Sequence, residues 1–304
     1  MRRIAHISDI HFGAEDPAVV EALAEDLLAW RYDLLVVSGD FTQRARAGQF
    51  RAAMQFLNRL PGPQLCVPGN HDVPLYDVVR RFMSPVGRYR RYVMDELRPV
   101  FRDEQLLVVG LNTARPFSPT LDGFWKDGRI SAEQLLDVHL LAAETPDELF
   151  KIVVTHHPFI PPMHDRPHGI VRGAARALRT LESVGVEVLL AGHLHMNYSG
   201  DVRTHHEATK RSILSIQAGT ACSHRRRDEP NAYNRLIVEG AAFDGLAHDR
   251  VTVQVRKCET AGAFVDGPRV VYEKLDGGWD RVEARREDPV NEEEFAVQQE
   301  LQGR

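Results

Sequence analysis

Ile7-Ser8-Asp9-Ile10-His11 is the stretch on which the reading of this chain turns. Residues 4–8 read as a first strand, and the polar Asp9-Ile10-His11 follows at once. The same arrangement recurs down the chain. Residues 34–38 read as a second strand running into Gly39-Asp40, and residues 65–67 as a third running into Gly69-Asn70-His71-Asp72. Residues 151–155 lead to His156-His157, and residues 186–191 to Gly192-His193-Leu194-His195. Each cluster is expected at the carboxyl end of a strand, the edge where open α/β sheets bind ligands, so scattered side chains converge on one patch. In extended chain, residues i and i+2 point the same way, which predicts that both members of Asp9-x-His11 and of His193-x-His195 reach the same ligand.

Helical periods lie between these runs. Val20, Leu23, Leu27 and Trp30 recur at three- and four-residue steps, and Phe50, Met54 and Leu57 form a second buried stripe. Residues 106–111 read as another strand. Ser131-Ala132-Glu133-Gln134 has the form of a capping box and opens a helix to about Glu144. A further helix is expected around residues 174–183. After His195 the pattern turns to strands (212–217, 235–239, 251–256 and 270–274) punctuated by Gly240, Gly245, Gly262 and Gly277. We therefore expect one α/β domain over residues 1–284, with the polar clusters in 1–200 and a β-rich closing part in 201–284. The charged, Gln-rich stretch 285–304 reads as a frayed tail.

Composition bounds the rest. A chain of 304 residues, 43% hydrophobic and 27% charged, has material for a sizeable core. Its formal net charge of -5 gives no basic field for nucleic acid or anionic lipid, so any attraction for an anion must be local, as at a metal site. Cys66, Cys222 and Cys258 form no C-x-x-C pair and read as buried or half-buried thiols. The first residues lack the apolar stretch of a secretory signal. Charge also interrupts every apolar run before the ~18 residues a membrane span needs, which predicts a cytoplasmic address.

The residue types carry chemistry together. Asp9, His11, Asp40, Asn70, His156, His193 and His195 offer two carboxylates, one amide oxygen and four imidazoles. One cation takes about four to six ligands, so this set is too large for one ion. It suits two divalent ions ~3.5–4 Å apart sharing a carboxylate. Any one cluster alone is weak, since Gly-Asn-His-Asp is also good turn chemistry. Five in this order, each after a strand, are not explained by surface loops.

The order Asp9-x-His11, Gly39-Asp40, Gly69-Asn70-His71-Asp72, His156, Gly192-His193-x-His195 resembles the calcineurin-like metallophosphoesterase signature over roughly residues 1–200. The resemblance implies an α/β, four-layer fold: a central β-sandwich of two mixed sheets flanked by helices, with the strands of 212–274 looking like the second sheet. It also implies roles. Asp9, His11 and His195 would hold one ion, Asn70, His156 and His193 the other, and Asp40 would bridge. His71 would contact the phosphate and protonate the leaving oxygen. A metal-bridging hydroxide would attack phosphorus in line. Two divalent ions, the two aspartates and that hydroxide leave a site charge of about +1, suited to a phosphodiester.

Within the family, neighbouring residues narrow the branch. Serine/threonine phosphatases continue Gly-Asp with Arg-Gly, where this chain has Phe41-Thr42-Gln43-Arg44. Purple acid phosphatases place a tyrosine where Gln43 stands, and lipid A pathway pyrophosphatases an arginine where His71 stands. The family's nucleases need more chain and a DNA-binding region. The remaining likeness, through Ile7-Ser8-Asp9-Ile10-His11, Gly39-Asp40-Phe41-Thr42 and Thr155-His156-His157-Pro158, is to the bacterial cyclic-nucleotide and glycerophosphodiester phosphodiesterase (class III) branch. It implies metal-dependent hydrolysis of a small phosphate ester, a phosphodiester ahead of a phosphomonoester or nucleotide pyrophosphate. A non-catalytic scaffold is the remote alternative. The ions would be Mn, Fe, Zn or Co. No nucleic-acid partner is expected, and a homo-oligomer is left open.

Several residues border this set. Arg115 and Phe117 are candidates for the substrate pocket wall, with Asn70 and His71 as further substrate contacts. His157 reads as packing or as orienting a ligand, and Asp72 as orienting a ligand or stabilising a turn. His6, His139, His164, His168, His205, His206, His224 and His248 fit no ligand slot and read as surface or structural. Arg225-Arg226-Arg227 reads as a solvated loop offset by Asp228 and Glu229, the sharper alternative being that one arginine reaches a substrate phosphate or a subunit interface. Residues 76–92, with Arg80, Arg81, Arg88, Arg90 and Arg91, are expected as a helical cap beside the site.

Overall fold

Short runs of Val, Ile and Leu without polar interruption make strands covered on both faces, and the computed structural model shows them so. Its described residues are 1–116, 127–161, 170–206, 211–226, 229–259 and 262–282. Phe117, His164, His168, Arg227, Asp228 and the tail expected from residue 285 lie outside them, as does the expected domain boundary. The first half alternates strand and helix: β1 (Arg2–Ile7), α1 (Pro17–Ala29), β2 (Leu34–Val37), α2 (Ala47–Leu57), β3 (Gln64–Cys66), α3 (Val78–Met83) and α4 (Gly87–Tyr92). It continues through β4 (Val100–Arg102), β5 (Leu106–Gly110), α5 (Ala132–Ala143), β6 (Phe150–Val154), α6 (Ala174–Ser183) and β7 (Val186–Ala191). The remainder is mostly strand: β8 (Tyr198–Asp201), β9 (Leu214–Gln217), β10 (Asn231–Glu239), α7 (Ala241–Asp244), β11 (Arg250–Cys258), β12 (Val265–Leu275) and β13 (Gly278–Val282).

Two mixed sheets result. One has the order β13-β12-β11-β10-β1-β2-β3 and the other β4-β5-β6-β7-β9-β8. Strand periodicity sorts the side chains into layers. Ile4, Leu34, Val36 and Leu65 of the first sheet meet Val108, Ile152, Val154, Val188, Leu190 and Ile216 of the second in a shared core. Their neighbours Ala5, Ile7, Leu35 and Val37 face the other way, onto Val20, Leu23, Leu27, Phe50 and Ala53 of α1 and α2. Leu107, Val109, Val153 and Leu189 pack against Leu135, Val138, Ala177, Leu178 and Leu181 of α5 and α6. This is the expected helix–sheet–sheet–helix sandwich. Each fully buried leucine or valine contributes roughly 1.5–3 kcal/mol to holding the layers together.

The assignment of strands to sheets corrects the sequence reading. The segment 212–274 is not a second sheet. Only β9 joins β5, β6 and β7, in parallel beside β7, whereas β10 pairs antiparallel with β1 and carries β11, β12 and β13 into the first sheet. Chain order does not reveal this crossover, because β9 and β10 are equally apolar and both core-facing. Helix starts were more legible. The Ser131 hydroxyl accepts from Gln134 N at 3.1 Å, and the Gln134 side chain accepts from Ser131 N at 3.0 Å. Asp16 accepts from Ala18 N at 3.1 Å, with Pro17 in the first helical position of α1. Among the described residues no helix is long and apolar enough to cross a membrane.

Candidate metal centre

The polar clusters do follow strand ends, but not in extended backbone. β1 ends at Ile7 and β7 at Ala191. Beyond them Asp9 (φ 52°), His11 (φ 43°), His193 (φ 74°) and His195 (φ 58°) are left-handed, as is Asp40 (φ 55°) after β2. Strand alternation therefore does not unite Asp9 with His11 or His193 with His195; left-handed residues two positions apart do. Non-glycine residues pay about 1 kcal/mol or more for that conformation, a strain typical of functional loops. The loops also press close. A Cβ on Gly192 would meet Ser8 Oγ at 1.8 Å and Asp9 Oδ2 at 2.6 Å.

Three imidazoles are held by Nδ1 and present Nε2 inward. His11 Nδ1 faces the Thr42 carbonyl at 3.4 Å, and His156 Nδ1 donates to the Ser38 carbonyl at 2.8 Å. His195 Nδ1 lies 2.5 Å from the Arg225 carbonyl and 2.7 Å from Thr220 Oγ1. Such anchors set the tautomer of a ligating histidine. The freed Nε2 atoms surround the two carboxylates. His11 Nε2 is 3.5 Å from Asp9 Oδ1 and 3.6 Å from Asp40 Oδ2. His156 Nε2 is 3.5 Å from Asp40 Oδ1, and His195 Nε2 is 3.4 Å from Asp9 Oδ1. His193 is turned the other way: its Nδ1 lies 3.0 Å from Asn70 Oδ1, which is also 3.1 Å from His156 Nε2.

The opposite carboxylate oxygens are anchored. Asp9 Oδ2 accepts from Ser8 Oγ at 2.6 Å and from His193 N at 3.0 Å, and Asp40 Oδ1 accepts from His71 N at 2.8 Å. Asp9 Oδ1, Asp40 Oδ2 and His11 Nε2, by contrast, are buried without a hydrogen-bond partner. Orphaned buried polar atoms are rare and costly. These three face one another, at distances too long for good hydrogen bonds and right for ligands around a shared cation. Asp9, His11 and His195 form one such donor group, and Asp9, Asp40 and His156 another. Mixed imidazole, carboxylate and amide donors fit Mn, Fe, Zn or Co.

Electrostatics agrees. Burial, then the neighbouring Asp9 and Asp72 carboxylates, push the Asp40 carboxyl well above its usual range. Burial opposes ionisation of Asp9 too, but His195 and His11 beside it hold that carboxyl well below the usual range. Burial lowers His11 to about 4 and, with His11 and Arg225 nearby, His71 to about 2. It also lowers His156 and, with His157 and His156 adjacent, His193. His11, His71, His156 and His193 are thus held towards the neutral form, the form that ligates metal.

The structure brings all seven sequence-predicted donors together. His71 stands beside them, its ring 4.9 Å from that of His11 and its Nδ1 donating to the Gln43 carbonyl at 3.0 Å. Asp72 is buried and cross-links two loops: Oδ2 accepts from Gly69 N and Phe41 N at 2.9 and 3.2 Å, and Oδ1 from Thr42 N at 3.0 Å. His157 packs beside the donors. Its ring lies 4.5 Å from that of His193, and its Nδ1 lies 2.8 Å from Thr113 Oγ1. Arg115 is half-buried and donates to the Asp127 carbonyl at 2.8 Å. Of the 76–92 segment, Arg81 donates to the Pro116 and Pro74 carbonyls at 2.6 and 2.9 Å, and Arg88 to the Ala45 carbonyl at 2.8 Å. Sequence reasoning missed Ser8 and Thr220, whose hydroxyls meet Asp9 and His195, and the Ser38 carbonyl that holds His156; a small hydroxylic residue beside a cluster was the available signal for Ser8.

The family model described as calcineurin-like phosphoesterase matches residues 2–197. The chain belongs to the calcineurin-like phosphoesterase family. A 121-residue stretch is 36% identical to the glycerophosphodiester phosphodiesterase GpdQ of Enterobacter lignolyticus (strain SCF1), covering 34% of this chain and 44% of that enzyme. The chain thus spans less than half the length of that relative. A dimetal phosphatase from Danio rerio superposes with a TM-score of 0.58 at 15% identity, over 87% of this chain and 98% of that one. A purple acid phosphatase from yellow lupin (Lupinus luteus) seeds does so with a TM-score of 0.63 at 11% identity, over 89% of this chain and 53% of that one. At such identities these two share the fold. In this calcineurin-like phosphoesterase the matched span holds all seven donors but stops short of Thr220 and Arg225, which anchor His195.

Proposed function

We propose that the chain is a metal-dependent phosphoesterase that hydrolyses small phosphodiesters. The observation that carries this reading is the position of Asp40. One of its oxygens faces His11 and the other faces His156, at 3.6 and 3.5 Å, so a single carboxylate addresses both imidazole groups. In this reading Asp9, His11 and His195 hold one divalent cation, Asn70, His156 and His193 a second, and Asp40 both. Such ions, when bound, activate water as a nucleophile and neutralise charge on the phosphoryl oxygens.

The chain's own residues prepare that site. Ser38, Thr42 and Arg225 carbonyls fix three imidazole planes before any ion enters. The His71 backbone N–H fixes Asp40, and the Gln43 carbonyl fixes the His71 ring, whose Nε2 edge is then available to a leaving-group oxygen. The stretch shared with GpdQ, and a site charge of about +1 from two divalent ions, two aspartates and a hydroxide, support a monoanionic diester. The test is turnover of bis-p-nitrophenyl phosphate with added Mn²⁺, set beside p-nitrophenyl phosphate on the same preparation. A faster diester rate is expected. A rate no higher than that of His11→Ala with Mn²⁺, Zn²⁺, Co²⁺ or Fe²⁺ would refute the reading.

A further inference from the structure

Arg225 belongs to a basic run whose sequence context, with Asp228 and Glu229 close behind, suggested a solvated loop. The structure separates the members. Arg226 is exposed, whereas Arg225 is half-buried against the donor cluster. Its carbonyl oxygen takes the Nδ1–H of His195 at 2.5 Å and the Thr220 hydroxyl at 3.3 Å. Its side chain folds back across the site. Nη1 lies 2.9 Å from His71 Nε2 and 3.3 Å from Gln43 Oε1.

That contact has a chemical consequence. His71 Nδ1 donates to the Gln43 carbonyl at 3.0 Å, and Nη1 of Arg225, 2.9 Å from Nε2 and 3.3 Å from Nδ1, lies over the face of that ring. The face of a neutral ring holds a guanidinium only weakly. Charge-assisted hydrogen bonds to phosphoryl oxygen are shorter and about twice as strong, and the planar fork matches two such oxygens. Among the described residues every side-chain hydrogen bond of Arg225 runs through Nη1, so Nε and Nη2 keep donors in hand. No carboxylate within salt-bridge distance competes for them among the described residues, although two buried aspartates lie in the same cluster.

We propose that the Arg225 guanidinium is the phosphoryl-binding arm of this site: it leaves the face of the His71 ring for a non-bridging oxygen of the bound phosphate ester. The proposal rests on the phosphoesterase reading for its substrate. It does not rest on it for its measurement, because orthophosphate binding needs no turnover. The residue lies outside the span matched by the family model, so the assignment comes from this chain's own geometry.

The main-chain carbonyl that holds His195 survives substitution, so Arg225→Ala removes the arm and keeps the anchor. Full-length protein loaded with Mn²⁺ is titrated calorimetrically with orthophosphate, and its manganese content is measured alongside. Arg225→Ala is expected to weaken orthophosphate binding roughly 10- to 150-fold, the span for a lost hydrogen bond to a charged group. Arg225→Lys keeps part of the affinity, Arg226→Ala all of it, and manganese per chain is unchanged throughout. Added guanidinium chloride restores part of the diester kcat/KM of Arg225→Ala. Unchanged orthophosphate affinity in Arg225→Ala overturns the proposal, as does a loss that tracks loss of manganese. A wild-type protein that binds orthophosphate through Arg225 yet hydrolyses nothing would sink the phosphoesterase reading and leave this assignment standing.

Discussion

Gly69 and Asp40 are in such close contact that a Cβ on the glycine would lie 2.1 Å from Asp40 Oδ1 and 2.3 Å from Asp40 N. The backbone there is ordinary extended chain, φ -102° and ψ 179°, so the glycine supplies room and not conformational freedom. Gly69→Ala must push the carboxylate away from the imidazoles, at an overpacking cost of about 1–3 kcal/mol. We expect loss of bound manganese in metal analysis and loss of phosphoesterase activity. Gly48→Ala is the counterpart. In α2 a Cβ at Gly48 meets nothing nearer than the Arg51 guanidinium at 3.9 Å, and alanine there should stabilise by up to about 1 kcal/mol in urea unfolding.

The shared position of Asp40 predicts unequal effects on metal stoichiometry. Asp40→Ala removes a donor from both groups and should leave the protein with little bound metal after desalting. His156→Ala removes a donor from one group and should leave about one ion per chain. Equal losses in the two variants would show that Asp40 serves one group only. Because ions bind the folded state, chelation should lower stability, by about 2.7 kcal/mol if free metal had stood at a hundred times its dissociation constant.

Asp72 links the Gly69 loop to the Phe41–Thr42 loop through three backbone N–H donors and the Thr42 hydroxyl, the last at 3.0 Å from Oδ1. Asp72→Ala leaves those donors buried and unpaired, at about 1–3 kcal/mol for each that water does not reach. Lower thermal stability and weaker manganese binding are expected together. Activity and metal affinity at wild-type level would contradict this role.

His6 gives the pH dependence. It is fully buried in β1, with Nε2 2.9 Å from Ser38 Oγ, and burial lowers it to about 3 from an ordinary value of 6.5. The folded protein keeps this imidazole neutral while the unfolded chain protonates below about 6.5, so the unfolded state binds the extra proton. Stability is therefore lost as pH falls from about 6.5 towards 3, at roughly 1.4 kcal/mol per pH unit for this one group. In metal-free protein His6→Gln should flatten the profile, the two proteins differing by about 3 kcal/mol more at pH 4 than at pH 7. Parallel profiles from urea unfolding would count against the buried neutral histidine.

The candidate site was largely legible because its donors are polar residues placed directly after apolar runs, a pattern that packing alone does not produce. The four layers were legible through the family resemblance, whereas the strand and helix periods gave the order of elements, and Ser131 and Gln134 marked the start of α5. Other features left no local trace. β4 and β8 are edge strands with no fully buried residue, so they carry no apolar run. The pairing of β10 with β1 joins residues more than two hundred positions apart, and strand character does not encode the partner. The left-handed backbone at Asp9, His11, His193 and His195 overrode the i, i+2 rule, since the candidate donors begin where the strands stop. Arg225 was read by the charges next to it in sequence, whereas its contacts come from Gln43 and His71, brought there by the fold.

Asp9, His11, Asp40 and Asn70 hang from one sheet and His156, His193 and His195 from the other. Any ion shared among them is a rivet through both plates of the sandwich. Slippage of one plate over the other by a fraction of an ångström, too small to register as unfolding, would open the cage. Metal retention in this protein is thus a strain gauge for the core between the sheets, to which Val36 and Leu190 both belong.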